Sequence, residues 1–163
     1  NEDPAMHVIH EEGPVKIYPD FDPINPRTDF DHTSTLYAKG LCEEDDGSGP
    51  PADTIWLPVY RYSHGNIALR TTPFSCPWDS GLTGYIYESK SSVRDEFGVK
   101  RISPKLRALI EDRLRTEVAV FGAYCNGDVF GYENEETGDS CWGFYGFMEL
   151  DWDYMLASAR GLS

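Results

Sequence analysis

The stretch Ser75-Cys76-Pro77-Trp78-Asp79-Ser80-Gly81-Leu82-Thr83-Gly84-Tyr85-Ile86-Tyr87 lies near the middle of the chain. Two kinds of pattern meet there. Before it, Ile55, Leu57 and Val59 alternate with Trp56, Pro58 and Tyr60, the two-residue period of a strand. Pro58 cannot donate to a ladder, so this strand is expected at an edge or beside a bulge. Ser63-His64-Gly65-Asn66 reads as a turn and Ile67–Thr72 as the returning strand of a hairpin. The quoted stretch then runs into another strand, Leu82–Glu88. After it the period changes. Ser91 or Ser92 caps a short helix that Gly98 ends. Ser103-Pro104 opens a long one, with an N-cap followed by proline at the first helical position. Leu106, Leu109, Ile110, Leu114, Val118, Phe121 and Tyr124 recur at three- and four-residue steps, with Glu117 the one polar member. They predict an amphipathic helix over about 103–126, stopped at Asn126-Gly127.

Further out, Val15–Tyr18 and Thr33–Lys39 are strand candidates. Asp20–His32, with Pro19, Pro23 and Pro26 in or beside it, reads as an ordered extended loop. Residues 40–53 are acidic and rich in Gly and Pro, and predict a flexible surface insertion. Val129–Asn134 and Cys141–Phe147 form a hairpin, in which Gly131, Gly143 and Gly146 leave room for large aromatic neighbours. Glu149–Arg160 is a last short helix. The order is strands, helices, then a hairpin and a helix, which is an α+β fold with a mainly antiparallel sheet. The length of 163 residues suits a single domain over 14–163 after a mobile acidic segment, 1–13.

Formal net charge is -14, from 28 acidic and 14 basic residues. Residues 1–55 carry a net of -10, 56–127 of +3 and 128–163 of -7, so two acidic ends flank a mildly basic middle. Direct binding to a nucleic-acid backbone is disfavoured, since phosphate contacts need clustered Lys and Arg. A partner with a basic surface is favoured. The plainer account of the charge is solubility or adaptation to salt. Four scattered cysteines, at 42, 76, 125 and 141, show no zinc-type spacing and point to a reducing compartment. No apolar run is long enough for a membrane span, and no secretory leader is visible.

Four constellations carry possible chemistry. Asp20, Asp22, Asp29 and Asp31, with Asn25 and His32 nearby, offer hard oxygen ligands. They fail the EF-hand pattern at Ile24 and Asn25, and aspartates in such loops ordinarily make turns. Cys76, Asp79, Ser80 and His64, with Cys141, hold the parts of a nucleophile and a base, although the pattern is not a G-x-S-x-G elbow. The plainer reading makes Trp78 and Trp142 core aromatics beside small buried cysteines. Asp79 and Ser80 then hold a turn, and Ser75–Gly81 is expected close to Asp139–Gly143, whose Ser140-Cys141-Trp142 partly repeats Ser75-Cys76-Pro77-Trp78. Lys90, Arg94, Lys100, Arg101, Lys105, Arg107, Arg113 and Arg115 form a basic band that offers contacts to phosphate. Interleaved with Asp95, Glu96, Glu111 and Asp112, it reads rather as a salt-bridged helical face, or as a partner for the acidic ends of the chain. The last constellation is the acidic surface: Glu43, Glu44, Asp45, Asp46, Glu133, Glu135, Glu136, Asp139, Asp151 and Asp153. Rows of carboxylates can imitate a nucleic-acid backbone and occupy a basic groove. No cofactor is expected.

Several segments resemble a family of uncharacterised proteins seen in bacteriophages, prophages and their hosts. They are Ile17-Tyr18-Pro19-Asp20 with Asn25-Pro26-Arg27, Pro73–Gly81, Gly84–Tyr87, Gly98–Ser103, Gly127–Gly131 and Asp139–Gly146. Together they span most of 15–146. Asp31–Leu41 departs from the family pattern, which continues with a Trp-His pair and basic residues. The resemblance implies a phage or mobile-element setting inside a host cell and brings no activity with it. Charge and context together favour a non-enzymatic accessory protein that binds and inhibits a host factor with a basic groove, as anti-restriction and anti-CRISPR proteins do. The alternatives are a small enzyme built on Ser75–Gly81, or an interaction module that presents the aromatic hairpin of Phe130–Phe147.

Overall fold

Nine strands form among the described residues, which in the computed structural model are 8–146 and 155–161. The chain divides into two compact units, Pro26–Asn126 and a second made of Asn1–Asn25 with Gly127–Ser163. The residues expected to form one domain over 14–163 are thus distributed between them.

The Pro26–Asn126 unit opens with a one-turn helix α1 (Pro26–Asp29). Its location corrects the expectation of a purely extended loop: the fixed φ of Pro26 suits the first helical position. Strands β3 (Thr35–Ala38), β4 (Cys42–Glu43), β5 (Thr54–His64), β6 (Asn66–Arg70) and β7 (Ser80–Ser89) follow. They form an antiparallel sheet in the order β4-β3-β7-β5-β6. Pro58 is accommodated as its chemistry requires. β6 pairs only with residues 60–64 of β5, so at Pro58 that side of β5 carries no ladder, and the register shifts next to it, between Val59 and Tyr60.

Helix α2 (Lys90–Phe97) is capped by Ser89, not by Ser91 or Ser92. The Ser89 hydroxyl accepts from the Ser92 backbone N–H at 3.4 Å, and Gly98 ends the helix at a φ of 63°. The end of β7 decides which serine caps, because Ser89 is the last extended residue. Helix α3 (Pro104–Cys125) starts at the Ser103 cap and stops at Asn126, as its sequence predicts. It packs across β5, β6 and β7. Its Ile110, Leu114, Val118 and Phe121 meet Leu36, Ile55, Val59, Leu69 and Ile86 of the sheet, all buried. Each such side chain contributes about 1.5–3 kcal/mol.

In the other unit, β1 (His10–Glu12), β2 (Val15–Pro19), β8 (Val129–Asn134) and β9 (Ser140–Tyr145) form an antiparallel sheet in that order. Residues 10–12 were expected in a mobile terminus and instead pair with β2. Val15, Ile17, Phe130 and Tyr132 pack against Met155, Leu156 and Ala159, of which 155–159 are helical. The rest of the expected Glu149–Arg160 helix lies outside the described residues.

Gly131 makes the room that the hairpin sequence implies. A Cβ there would stand 2.1 Å from the Trp142 ring, which lies over it and reaches Tyr18 at a centroid distance of 6.1 Å. Gly131→Ala should push Trp142 away and cost about 1–3 kcal/mol. The measurement is a urea melt with tryptophan emission, and an unchanged midpoint would refute the packing argument.

Candidate functional site

The central loop ends where β7 begins. The Ser63 backbone N–H donates to the Asp79 carbonyl at 2.9 Å, and the Ser80 hydroxyl donates to the Cys76 carbonyl. Asp79 and Ser80 therefore do hold a turn. The Asp79 carboxylate also gathers the candidate nucleophile and base, with Oδ2 3.8 Å from Cys76 Sγ and 3.4 Å from His64 Nδ1. The order is thiol, carboxylate, imidazole. Nucleophilic catalysis needs the imidazole beside the thiol and the carboxylate behind it. Here the carboxylate meets the thiol directly, and it would repel the thiolate that attack requires. Cys76, Asp79, Ser80 and His64 are thus brought together in an arrangement suited to a turn.

Trp78 corrects the sequence reading. It is 91% exposed, and Trp142 is 44% exposed, so neither is a core aromatic. Trp78 stands on the irregular loop that leads into β7, and its indole lies at the surface beside Ser80–Thr83. Cys141 is exposed as well. Ser75–Gly81 belongs to the Pro26–Asn126 unit and Asp139–Gly143 to the other.

The acidic loop 40–53 is held in place, contrary to the expected flexible insertion. Asp45 accepts from the Tyr85 hydroxyl at 2.8 Å, from the Tyr87 hydroxyl at 3.2 Å and from the Gly47 N–H at 2.9 Å. Glu43 accepts from the Gly40 N–H and Asp46 from the Ser48 N–H, both on exposed loop positions. The Ser48 contacts, through its side chain and backbone, hold the Asp46 carboxyl below its ordinary range.

Glu44 takes part in a cluster that local sequence patterns do not announce. The Arg27 guanidinium, 3% exposed, donates to both Glu44 oxygens at 2.6 and 2.8 Å and to Glu117 Oε1 at 3.0 Å. It also reaches the Ser34 hydroxyl and carbonyl at 3.1 Å, and the Ser34 hydroxyl donates to Glu117 at 2.6 Å. Burial works against ionising Glu44. The hydrogen bonds from Arg27 and the Leu36 backbone N–H outweigh it and hold the carboxyl below its ordinary range. The available signal was Glu117, the lone acid on the apolar stripe of α3. What it lacked was a partner that could be identified from spacing.

Of the candidate metal ligands, Asp20 accepts from the Asp22 N–H at 3.0 Å, a turn contact, and Asp29 accepts from the Thr28 hydroxyl at 3.2 Å. Asp20 and Asp22 fall in one unit, Asp29 and Asp31 in the other. Both His32 ring nitrogens face backbone carbonyls, those of Ser34 at 3.0 Å and Arg27 at 2.9 Å. Among the described residues no group of three or more His, Cys, Asp or Glu side chains is arranged to hold a metal ion.

Charge separates the two units sharply. Residues 1–25 and 127–163 hold 14 acidic and 2 basic residues, a net of -12, whereas 26–126 hold 14 and 12, a net of -2. On the smaller unit Glu11, Glu133, Glu136 and Asp139 are exposed. Glu135 pairs with Lys16 at 2.6 Å and Glu12 with Arg160 at 2.7 Å. Asp151 and Asp153 lie outside the described residues. The hairpin tip is fixed by the buried Asn134. Its carbonyl oxygen accepts from the Glu136 and Thr137 N–H groups at 3.0 and 3.2 Å, and its amide donates to the Ala159 carbonyl at 3.1 Å. Among the described residues, no helix is long and apolar enough to cross a membrane. Comparison with family profiles, curated proteins and solved structures finds no match.

Proposed function

We infer that the chain is a non-enzymatic, acidic accessory protein of phage type. It docks on a host protein with a basic, nucleic-acid-binding surface and blocks it, as anti-restriction and anti-CRISPR proteins do. The observation that carries this reading is the charge division, a net of -12 on one unit against -2 on the other. A charge spread only for solubility has no reason to collect on the smaller unit. Carboxylates held on a fixed hairpin lose less freedom on binding than the same groups on a mobile tail. Glu136 and Asp139 meet that condition through Asn134, and Glu133 through its ladder positions opposite Lys16 and Ser140. Trp142, half exposed on the edge strand β9, supplies the apolar anchor that acidic surfaces otherwise lack. The setting is the host cytoplasm, and direct contact with nucleic acid forms no part of this reading.

The test is a pull-down from host lysate with the wild type and with a Glu133→Lys, Glu136→Lys, Asp139→Lys variant. Nucleic-acid-binding proteins should be captured at low salt and released at high salt, because exposed charges are screened beyond a Debye length. The variant, with an unchanged circular dichroism spectrum, should capture less. Recovery of no such protein, or equal recovery by both, sinks the reading.

A further inference from the structure

The geometry points to a binding site for a compact polyphosphate anion in the depression where α2 leads into α3. Five cations line it: Lys90 and Arg94 from α2, Lys100 and Arg101 from the connector, and Arg107 from the start of α3. Its volume is about 400 Å³, within the range of small-ligand pockets. The site lies wholly within Pro26–Asn126 and does not rest on the acidic-surface reading.

Among the described residues Lys39, Arg61, Arg70 and Lys105 also make no ion pair, but here five unpaired cations line one depression. The interleaved charges of 90–115 predict a salt-bridged face, and part of them form one. Arg113 pairs with Glu96 at 2.8 Å and Glu88 at 3.2 Å, and Arg115 with Asp112 at 2.6 Å. Arg27, Lys16 and Arg160 are likewise paired. Among the described residues, the five cations of the depression make no ion pair, in a chain with twice as many acids as bases. Unpaired cations that converge on one concavity repel each other. Lys90 and Arg94, four apart on α2, add a like-charge pair that disfavours the helix.

The helix start adds a second conflict of the same sign. Anions are stabilising near a helix N-terminus and cations are not. The first turn of α3 holds no acidic residue and instead carries Lys105 and Arg107. A bound anion relieves both conflicts, by pairing with the cations and by meeting the positive end of the 22-residue α3. Arginine forks suit phosphate oxygens bidentately. Five positive charges in one depression exceed what a single phosphate neutralises, so the fitting ligand carries two or three phosphates in a row. The rest of the chain decides between a short ligand and a long one. A net charge of -14 repels a nucleic-acid strand that runs beyond the depression, but not an anion contained in it.

The experiment is isothermal titration calorimetry of the full chain with inorganic tripolyphosphate, inorganic phosphate and a single-stranded oligonucleotide. Tripolyphosphate should bind more tightly than phosphate. A Lys100→Glu, Arg101→Glu variant should weaken it by about tenfold or more, and Lys100→Gln, Arg101→Gln by less. Arg115→Glu, outside the depression, should leave it unchanged. Circular dichroism checks that each variant is folded, and the Gln pair serves if the Glu pair is not. Absence of heat with tripolyphosphate overturns the proposal. So does equal weakening by Arg115→Glu, or tighter binding of the oligonucleotide than of tripolyphosphate.

Discussion

Arg27→Met is expected to destabilise the Pro26–Asn126 unit by about 3 kcal/mol, the lower end of the cost of breaking a buried ion pair, because Arg27 is buried and its two carboxylate partners are part-buried. Arg27 joins α1, the acidic loop and α3 through Glu44, Ser34 and Glu117. Its removal strands two carboxylates whose side chains are only 23% and 22% exposed. The loop should loosen with it, since Glu44 also accepts the Leu36 N–H of β3 at 2.8 Å. A triple variant, Arg27→Met with Glu44→Gln and Glu117→Gln, should recover much of the loss, because charge left unpaired is the main penalty. Urea unfolding of the three proteins checks this. A single variant within about 0.5 kcal/mol of the wild type would show that the cluster contributes nothing beyond an ordinary surface site.

The same cluster sets a pH dependence. The Glu44 carboxyl titrates below its ordinary value of 4.5 in the folded chain. A carboxylate with a depressed folded pKa adds stability that is complete above the unfolded value and disappears as pH falls through the folded one. Stability should therefore decline from about pH 4.5 downward. Glu96, lowered by its hydrogen bonds to Arg113, adds to the decline in the same direction. In the Arg27→Met variant this acid limb should be shallower, since the cation that depresses Glu44 is gone.

Local chemistry made most of the elements legible and none of the long-range joints. The 103–126 helix was readable because cap, proline, apolar stripe and Asn-Gly stop all agree, and Pro104–Cys125 matches it within a residue. The hairpins followed from alternation broken by glycine-containing turns. The ordering of 40–53 was not readable, because Asp45 is tied by tyrosines some forty residues away. The division into two units was equally hidden. It depends on β2 pairing with β8, Tyr18 opposite Gly131, a contact between the two ends of the chain. Trp78 reads as core in the sequence because indole is large and apolar, but size and hydrophobicity make burial favourable only where the backbone offers a layer to enter. At the basic depression the residues were visible but their pairing was not. Sequence interleaving suggested partners that Arg113 and Arg115 found and Lys100 and Arg101 did not.

Gly84→Ala should destabilise the chain by about 3 kcal/mol or more, at the upper end of overpacking effects, or prevent its folding. An added Cβ would lie 1.7 Å from the Tyr37 carbonyl oxygen and 3.2 Å from the Ala38 Cα. Both obstacles are backbone, so no rotamer change relieves them. Gly84 stands opposite Ala38 on one side and Val59 on the other, in the middle of the sheet. The only response left is to move β3 away from β7. That breaks a four-pair ladder and withdraws Leu36 and Ala38, both fully buried, from the core against α3. Gly81→Ala is the internal control. It lies on the same strand, three residues earlier, with nothing within 4 Å of the added carbon and no positive φ. There alanine should be neutral within about 0.5 kcal/mol, or stabilise slightly by restricting the unfolded chain. Equilibrium denaturation of the pair separates close backbone approach from strand propensity. If both substitutions cost the same, glycine at 84 reflects propensity alone, and the tight β3–β7 approach is not what selects it.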